Sequence, residues 1–417
     1  VTPENTVLLV GATVKVLQAA KAHGLSVILV QHKNKFTPEQ AELADATLIA
    51  DYTDWAAVRP HAEAAYERWG FATALGLTDP ALDVTARIND LFGLPGTSYA
   101  VSRLLQDKFL MRQRLAEAGA ASAIGARLLV DKQSLLEFGA EFGYPFVAKP
   151  TDAAASLGVF RIESASDVDR VWAELEALRG SGPGVGCGGL FTVTDVVMEE
   201  YVDGPEFSVE SFSFGGRHVV VSVTEKTTGT GHFAELGHTV PARIDRFREN
   251  RIVGATREFL DAVGLTDGPS HTEIKFGSRG PVVIESHNRI GGDRIGDLVE
   301  AVYGIDLTHY AVGWPFGLVD ELRDRPKAVG GAAVRFVESP EATEGTVVSI
   351  DGLDELRERS EVIAADALVS VGDRVHPVRD NNDRLALVAA TGPTGDAAVK
   401  LCEELIENTL RIQVVPK

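Results

Sequence analysis

The chain has 417 residues, 45 % hydrophobic and 24 % charged, with a formal net charge of −20. This length predicts about two to four packed units, and the near-average composition excludes long-range disorder and fibrous architecture. The acid excess argues against nucleic acid and anionic membrane surfaces as partners. No apolar run reaches the roughly 18 to 20 residues of a membrane span, and two distant cysteines, Cys187 and Cys402, fit a reducing, cytoplasmic address without a zinc site.

Residues 1–100 alternate apolar strands (6–10, 25–30 and 46–50) with a helix-like stretch at 13–23, the βαβ rhythm of a parallel sheet. Gly11 follows the first strand without the further glycines of a dinucleotide fingerprint, so this unit reads as Rossmann-like in shape and not as a cofactor site. A second unit, 101–190, opens with a helix over 102–118. It continues with a strand over 146–149 and a helix over 167–178, where Ser166 and Asp169 give a capping-box pattern.

The glycine-rich stretch 180–189 reads as a flexible connection. The G-x-G-x-x-G spacing of Gly184, Gly186 and Gly189 within it is accidental, because no strand precedes it and no helix follows. A strand-rich third unit spans 191–325, and a fourth, 326–417, ends in a helix. There Ala398, Leu401, Cys402, Leu405, Ile406 and Thr409 share a face, which makes Cys402 a core residue.

The chemistry-bearing residues begin with Lys149, which ends an apolar run and precedes the small residues 151–158. A lysine there needs an anion, and the loop offers unobstructed backbone N–H groups for phosphate oxygens. The bland alternative is an edge lysine reaching solvent beside an ordinary turn. Lys108 on the predicted helix reads by itself as exposed.

Downstream, residues 196–210 form an apolar strand ending in acids and turning at Gly204-Pro205, a junction suited to ribose hydroxyls and an adenine amine. Residues 270–289 read as a hairpin. A three-residue loop, 278–280, pairs Gly277 with Pro281 and therefore Glu273 with Glu285. Ile274, Phe276, Val282 and Ile284 then share the opposite, apolar face. Two opposed carboxylates repel unless a cation or a shared proton lies between them, and magnesium suits such hard oxygen ligands. Two solvated glutamates screened by Lys275 are the alternative.

Together these pieces resemble the ATP-grasp superfamily, in particular its amino-acid ligases of the dipeptide-forming and carnosine-synthase-like type. The order matches over most of the chain: an N-terminal α/β domain, a helix lysine, a strand lysine, a small-residue loop, a hinge and an acidic hairpin. The resemblance implies an α/β, multidomain ATP-grasp fold with a Rossmann-like N-terminal domain, small and large ATP-grasp lobes and a C-terminal α+β lid-type domain.

It further implies that Lys108, Lys149, Ser156 and Gly158 hold ATP phosphates. Glu199 and the backbone of Val202 would meet adenine, and Glu206 the ribose. Glu273 and Glu285 would carry magnesium, with manganese as a substitute, and Arg289 would stabilise charge on the transferring phosphoryl group. The segment 232–241 resembles the family's substrate-proximal loop, so Glu235 and His238, with His271 and His287, are candidate substrate-binding residues. Glu235, His238 and His271 are also the candidate bases.

One departure concerns the second acidic strand, where the family commonly shows Glu-x-Asn. Here position 287 is histidine and Asn288 follows. Period two places His287 beside Glu285, facing substrate or orienting a ligand; contact of Asn288 with the metal through a bulge is the alternative. The implied activity is ATP-dependent joining of a small-molecule carboxylate to an amine through an acyl phosphate, by a soluble enzyme for which a homodimer is the default assembly. An ATP-grasp carboxylase or formate-using ligase, or a catalytically silent nucleotide-binding module, are the competing expectations.

Overall fold

The computed structural model describes residues 3–180, 190, 192–229, 233–339 and 344–416. Cys187, the glycine spacing at 184–189, nearly all of the expected connection 180–189, and His232 lie outside the described residues. Among the described residues no helix is long and apolar enough to cross a membrane.

The N-terminal unit is a parallel sheet of β1 (Thr6–Val10), β2 (Ser26–Gln31), β3 (Ala46–Ile49) and β4 (Thr73–Leu75), ordered β3-β2-β1-β4. The central residues of β1 and β2 are apolar because both faces are covered. Leu8, Val10, Ile28 and Val30 pack against helices Trp55–Trp69 and Asp79–Phe92, whereas Val7, Leu9, Val27 and Leu29 pack against helix Val14–Ala22. The Rossmann-like expectation matches this doubly covered parallel sheet.

A small antiparallel sheet follows, of β5 (Ala126–Leu128), β6 (Phe146–Pro150), β7 (Phe160–Ile162) and β8 (Val196–Glu200), ordered β5-β8-β6-β7. Helices Lys132–Phe142 and Val168–Gly180 cover it through Leu135, Phe138, Val171 and Leu175. β8, expected in the third unit, belongs here: Lys149 pairs with Val197 and Val147 with Glu199. The capping box lies at Ser164 and Asp167, two residues before the expected pair, ahead of the helix.

The largest sheet has eight strands. β9 (Glu206–Phe214), β10 (Arg217–Thr228), β11 (Glu235–Val240), β12 (Gly268–Gly277) and β13 (Gly280–His287) are joined by strands from the C-terminal region. That region runs β14 (Gly331–Val337), β15 (Gly345–Asp351), β16 (Val362–Ala367), β17 (Arg374–Val375), β18 (Ala386–Gly392) and β19 (Arg411–Pro416). The sheet order is β13-β12-β9-β10-β11-β14-β18-β16, while β17-β15-β19 form a separate three-stranded sheet. The residues 326–417 therefore extend the large sheet as well as building their own, and they end in a strand after helix Gly395–Asn408. Cys402 is core, as expected: fully buried, with burial pushing its thiol up to about 12.

Two further expectations are corrected. The helix over 102–118 is broken into Tyr99–Gln106 and Lys108–Glu117 by Asp107, whose Oδ1 accepts from the N–H groups of Phe109 and Leu110. Both helices pack on the large sheet and not in the small lobe: Leu105, Met111 and Leu115 share a core with Phe207, Val209 and Phe259. In the hairpin, Gly277 pairs with Gly280 across a two-residue turn, and a bulge after Glu273 restores the Glu273–Glu285 pairing. Ile274 consequently shares its buried face with Val283, whereas Val282 and Ile284 pack with Ile124 and Val202 on the other.

Candidate active site

A cavity of about 790 Å³ opens where the C-terminal end of the N-terminal sheet, the small lobe and the large sheet converge. The break at Asp107 decides the fate of Lys108. As the first residue of its helix it turns inward, buried, with Nζ 2.7 Å from the carbonyl of Ala153 and 3.1 Å from Glu285 Oε2. Burial opposes its charge, but Glu285, with Asp152 and Glu199, more than offsets this and raises its pKa. The reading of Lys108 as an ordinary exposed helical lysine is thereby overturned.

Lys149 is also buried, 2.8 Å from Glu199 Oε2. Glu199 receives Arg112 as well, Nε at 2.9 Å, and Arg112 donates onward to the carbonyls of Val283 at 2.5 Å and Ile284 at 3.0 Å. The two partners of the lysine pair respond oppositely. Burial disfavours charge on both, yet Glu199, serving two cations, is held down to about 2. Lys149 shares that carboxylate with Arg112 and is crowded by Lys108, so its pKa falls. The Glu199 carboxylate is thus committed to cations, and Val202 lines the cavity. Arg112 was not singled out from sequence, although it lies one helical turn after Lys108.

The small-residue loop forms one wall. Ala155 and Ser156 adopt φ of 60° and Gly158 of 67°. Ser156 Oγ donates to the carbonyl of Phe233 at 3.1 Å, which ties this loop to the stretch preceding β11. Gly158 is favoured by its positive φ, and a Cβ there would meet the flexible end of Leu178, 2.5 Å from Cδ2.

Opposite lies the acidic face. Glu273 and Glu285 are paired across β12 and β13 and both line the cavity. Burial opposes their ionisation, but both are lowered, Glu273 chiefly by Lys226 and Glu285 chiefly by Lys108. Lys226 was missed by sequence reasoning. Its buried ammonium is 2.7 Å from Glu273 and 3.0 Å from Glu206, and is also paired with Glu235. Nothing in the local pattern of β10 marks Lys226, which lies between Glu225 and Thr227 near the end of the strand. Carboxylate repulsion at the hairpin is therefore relieved first by lysines.

The histidines divide by their surroundings. His271 lies between Glu210 Oε1 at 2.5 Å and Glu273 Oε1 at 3.3 Å. Burial opposes its charge, yet these carboxylates raise it to about 9. His287 pairs across the ladder with His271 and lies 3.3 Å from Asp79 and 3.6 Å from Glu285, with neither ring nitrogen in hydrogen-bond geometry. Asn288 turns away from this face, its Oδ1 accepting from Ser102 Oγ at 3.4 Å.

His238 is fully buried behind Glu235, 3.3 Å away, and Asp293, 3.7 Å away. Burial opposes its charge and the two carboxylates raise it. Arg289 reaches the cavity with its Nε bonded to Asp79, the first residue of helix Asp79–Phe92, so an N-terminal-domain acid holds the arginine. Asp79, Asp293 and Arg384, like Lys226, emerge only from the tertiary arrangement.

The hard-oxygen pair Glu273 and Glu285, ionised and facing the cavity, fits a magnesium ion. Neither His287, an imidazole, nor Asn288, already bonded to Ser102, adds an oxygen donor here.

Three family models match in order along the chain: an ATP-grasp N-terminal domain at 17–96, an ATP-grasp domain at 142–297 and an L-amino acid ligase C-terminal domain at 339–415. The chain has an ATP-grasp fold. Its fold matches an L-amino acid ligase from Bacillus licheniformis with a TM-score of 0.83 over 100 % of both chains at 20 % identity, a likeness of fold. Among curated relatives, carnosine synthase 1 of Gallus gallus is 29 % identical over 75 % of this chain and 34 % of its own length. Alanine--anticapsin ligase of Bacillus subtilis (strain 168) is 29 % identical over 53 % of this chain and 49 % of its own. The ATP-grasp chain thus spans between a third and a half of these two relatives. The expected resemblance to amino-acid ligases of the carnosine-synthase type holds.

Proposed function

We propose that this chain is an ADP-forming ligase that joins the carboxylate of one amino-acid-like substrate to the amine of another. The observation that carries this reading is the facing arrangement in one cavity of two lysines, Lys108 and Lys149, an ionised glutamate pair, Glu273 and Glu285, and Arg289. This set neutralises a triphosphate and the charge that moves during phosphoryl transfer.

A carboxylate oxygen attacks the terminal phosphorus of ATP, and the bond to the ADP oxygen breaks. The amine nitrogen then attacks the acyl carbon, the carbon–oxygen bond to phosphate breaks, and the proton lost by the amine is taken up by the departing phosphate. Lys149, from the small lobe, and Lys108, from the helix packed on the large sheet, hold phosphate oxygens, and Ser156 with Gly158 frames the loop above them. Glu206 is the ribose ligand, and the main chain around Val202 meets adenine. Glu273 and Glu285 would hold magnesium, which supplies Lewis-acid neutralisation of phosphate oxygens.

Arg289, fixed by Asp79, faces the acyl oxygen as negative charge gathers there. Glu235 and His238 border the substrate end. His271, between Glu210 and Glu273, is placed to orient the acidic face. The names of the relatives, carnosine synthase and alanine--anticapsin ligase, support amino acids as the substrate class.

The test measures ADP release with magnesium and amino acids offered singly and in pairs. Release that needs two different amino acids, with one amide formed per ADP, is the expected result; dependence on bicarbonate or formate instead would sink the reading.

A further inference from the structure

Four non-glycine residues among those described have positive φ: Ala155 and Ser156 at 60°, Asp293 at 51° and Arg294 at 67°. All four line the cavity. L-residues stay in this region only where their surroundings over-determine it. Beside the bond of Ser156 to Phe233 and the ion pair of Arg294 with Asp297, restraints on Ala155, Asp293 and Arg294 reach in from the C-terminal region.

Arg384 clasps Asp293 with both terminal guanidinium nitrogens, at 2.7 and 2.9 Å, and its Nη1 also donates to the carbonyl of Glu235 at 3.2 Å. Its Nε donates to the carbonyl of Asn381 at 2.7 Å, and its guanidinium carbon stacks 3.8 Å from the centre of the Phe336 ring. Asn381 reaches the other strained pair. Its N–H donates to the carbonyl of Ala155 at 3.4 Å, and its Oδ1 accepts from the N–H of Glu235 at 2.8 Å. Arg294 is held separately, by an ion pair with Asp366 on β16.

The strained pairs lie on the two segments that the proposed chemistry must align, the small-residue loop 153–158 and the segment 289–294 that presents Arg289. We infer that Asn381 and Arg384, seconded by Asp366, form a latch through which the C-terminal region holds the phosphate loop and the arginine segment in register across the cavity. Resting on the ligase reading, this makes Arg384 a positioning residue. Without the clasp, Asp293 and Arg294 relax toward ordinary φ, Arg289 swings from its place, and water reaches the acyl phosphate.

The experiment compares variants in amide formation and in ADP release. Arg384→Ala is expected to lower kcat for amide by about 10²-fold while the KM for ATP stays within about threefold, and to release more than one ADP per amide. Arg384→Lys, which cannot make the forked contact, falls between. A second pair isolates the backbone effect at a half-exposed position where folding is not at stake. Asp366→Ala is expected to lower kcat about tenfold, and adding Arg294→Gly to restore most of it, because glycine adopts positive φ without a clamp.

A kcat unchanged in Arg384→Ala, or no restoration by Arg294→Gly, overturns the latch. Wild-type chain that releases ADP with no amide from any pair overturns the ligase reading instead, and the latch is then judged by the same comparisons on ADP release.

Discussion

Glu199 shows how a single carboxylate can be structural inside a catalytic cavity. Its side chain is 4 % exposed and is shared by Arg112 and Lys149, and the folded pKa is depressed from 4.5 to about 2. A depressed carboxylate contributes stability that is fully present above its unfolded pKa and is lost as pH falls through the folded one. Glu199→Gln leaves two buried cations with no counter-charge and is expected to cost about 3 kcal/mol at pH 7. In denaturant melts the gap between wild type and variant should close between pH 4.5 and about 2. A gap that persists at the acid end would show that the ion pairs are not its source. The sequence marked Glu199 as a base-reading acid because its neighbours in space, Lys149 across β6 and Arg112 on a distant helix, are invisible in the linear pattern.

At the scale of elements, the break at Asp107 matters more than the helix it interrupts. Apolar periodicity runs through 102–118 without a glycine or proline to mark a boundary, so the sequence reads one helix. The structure makes Asp107 the C-cap of one helix and the N-cap of the next, and its Oδ2 also receives Arg103 at 2.9 Å. Asp107→Ala is expected to lose about 1 kcal/mol of stability from the cap. It should also weaken nucleotide binding, measured by titration calorimetry, since Lys108 begins the second helix; unchanged ATP affinity would show that the cap does not place the lysine.

The hairpin shows the converse. A two-residue turn and a bulge each depart from the expected register by one residue, and the departures cancel at Glu273 and Glu285. The acidic pair was legible, but the apolar partners between turn and bulge were not, because a bulge inside an otherwise alternating strand leaves no compositional mark.

At the scale of the molecule, the large sheet crosses the boundary expected near residue 325. β14 pairs with β11, then β18 and β16 follow, and Ala332, Val334 and Leu387 share a core with Val240, Leu298 and Val302. A chain ending at 325 would expose the edge of β11 and that apolar face, so it is expected to aggregate, with size-exclusion chromatography as the check. A soluble monomer with the melting temperature of the full chain would contradict the continuous sheet.

What the sequence determined by itself was whatever depends on local pattern. The doubly covered parallel sheet follows from uninterrupted apolar strands, the small-residue loop from its composition, and the order of lysines, acids and arginine from the chain. Tertiary structure decided the rest: that Lys226 neutralises the acidic face, that Asp79 holds Arg289, that Glu199 is committed to two cations, and that Asn381 and Arg384 reach the cavity from the far end of the chain. These are pairings between residues brought together only by folding. Charge neutralisation acts through a few ångströms of space, and no spacing along the chain encodes it.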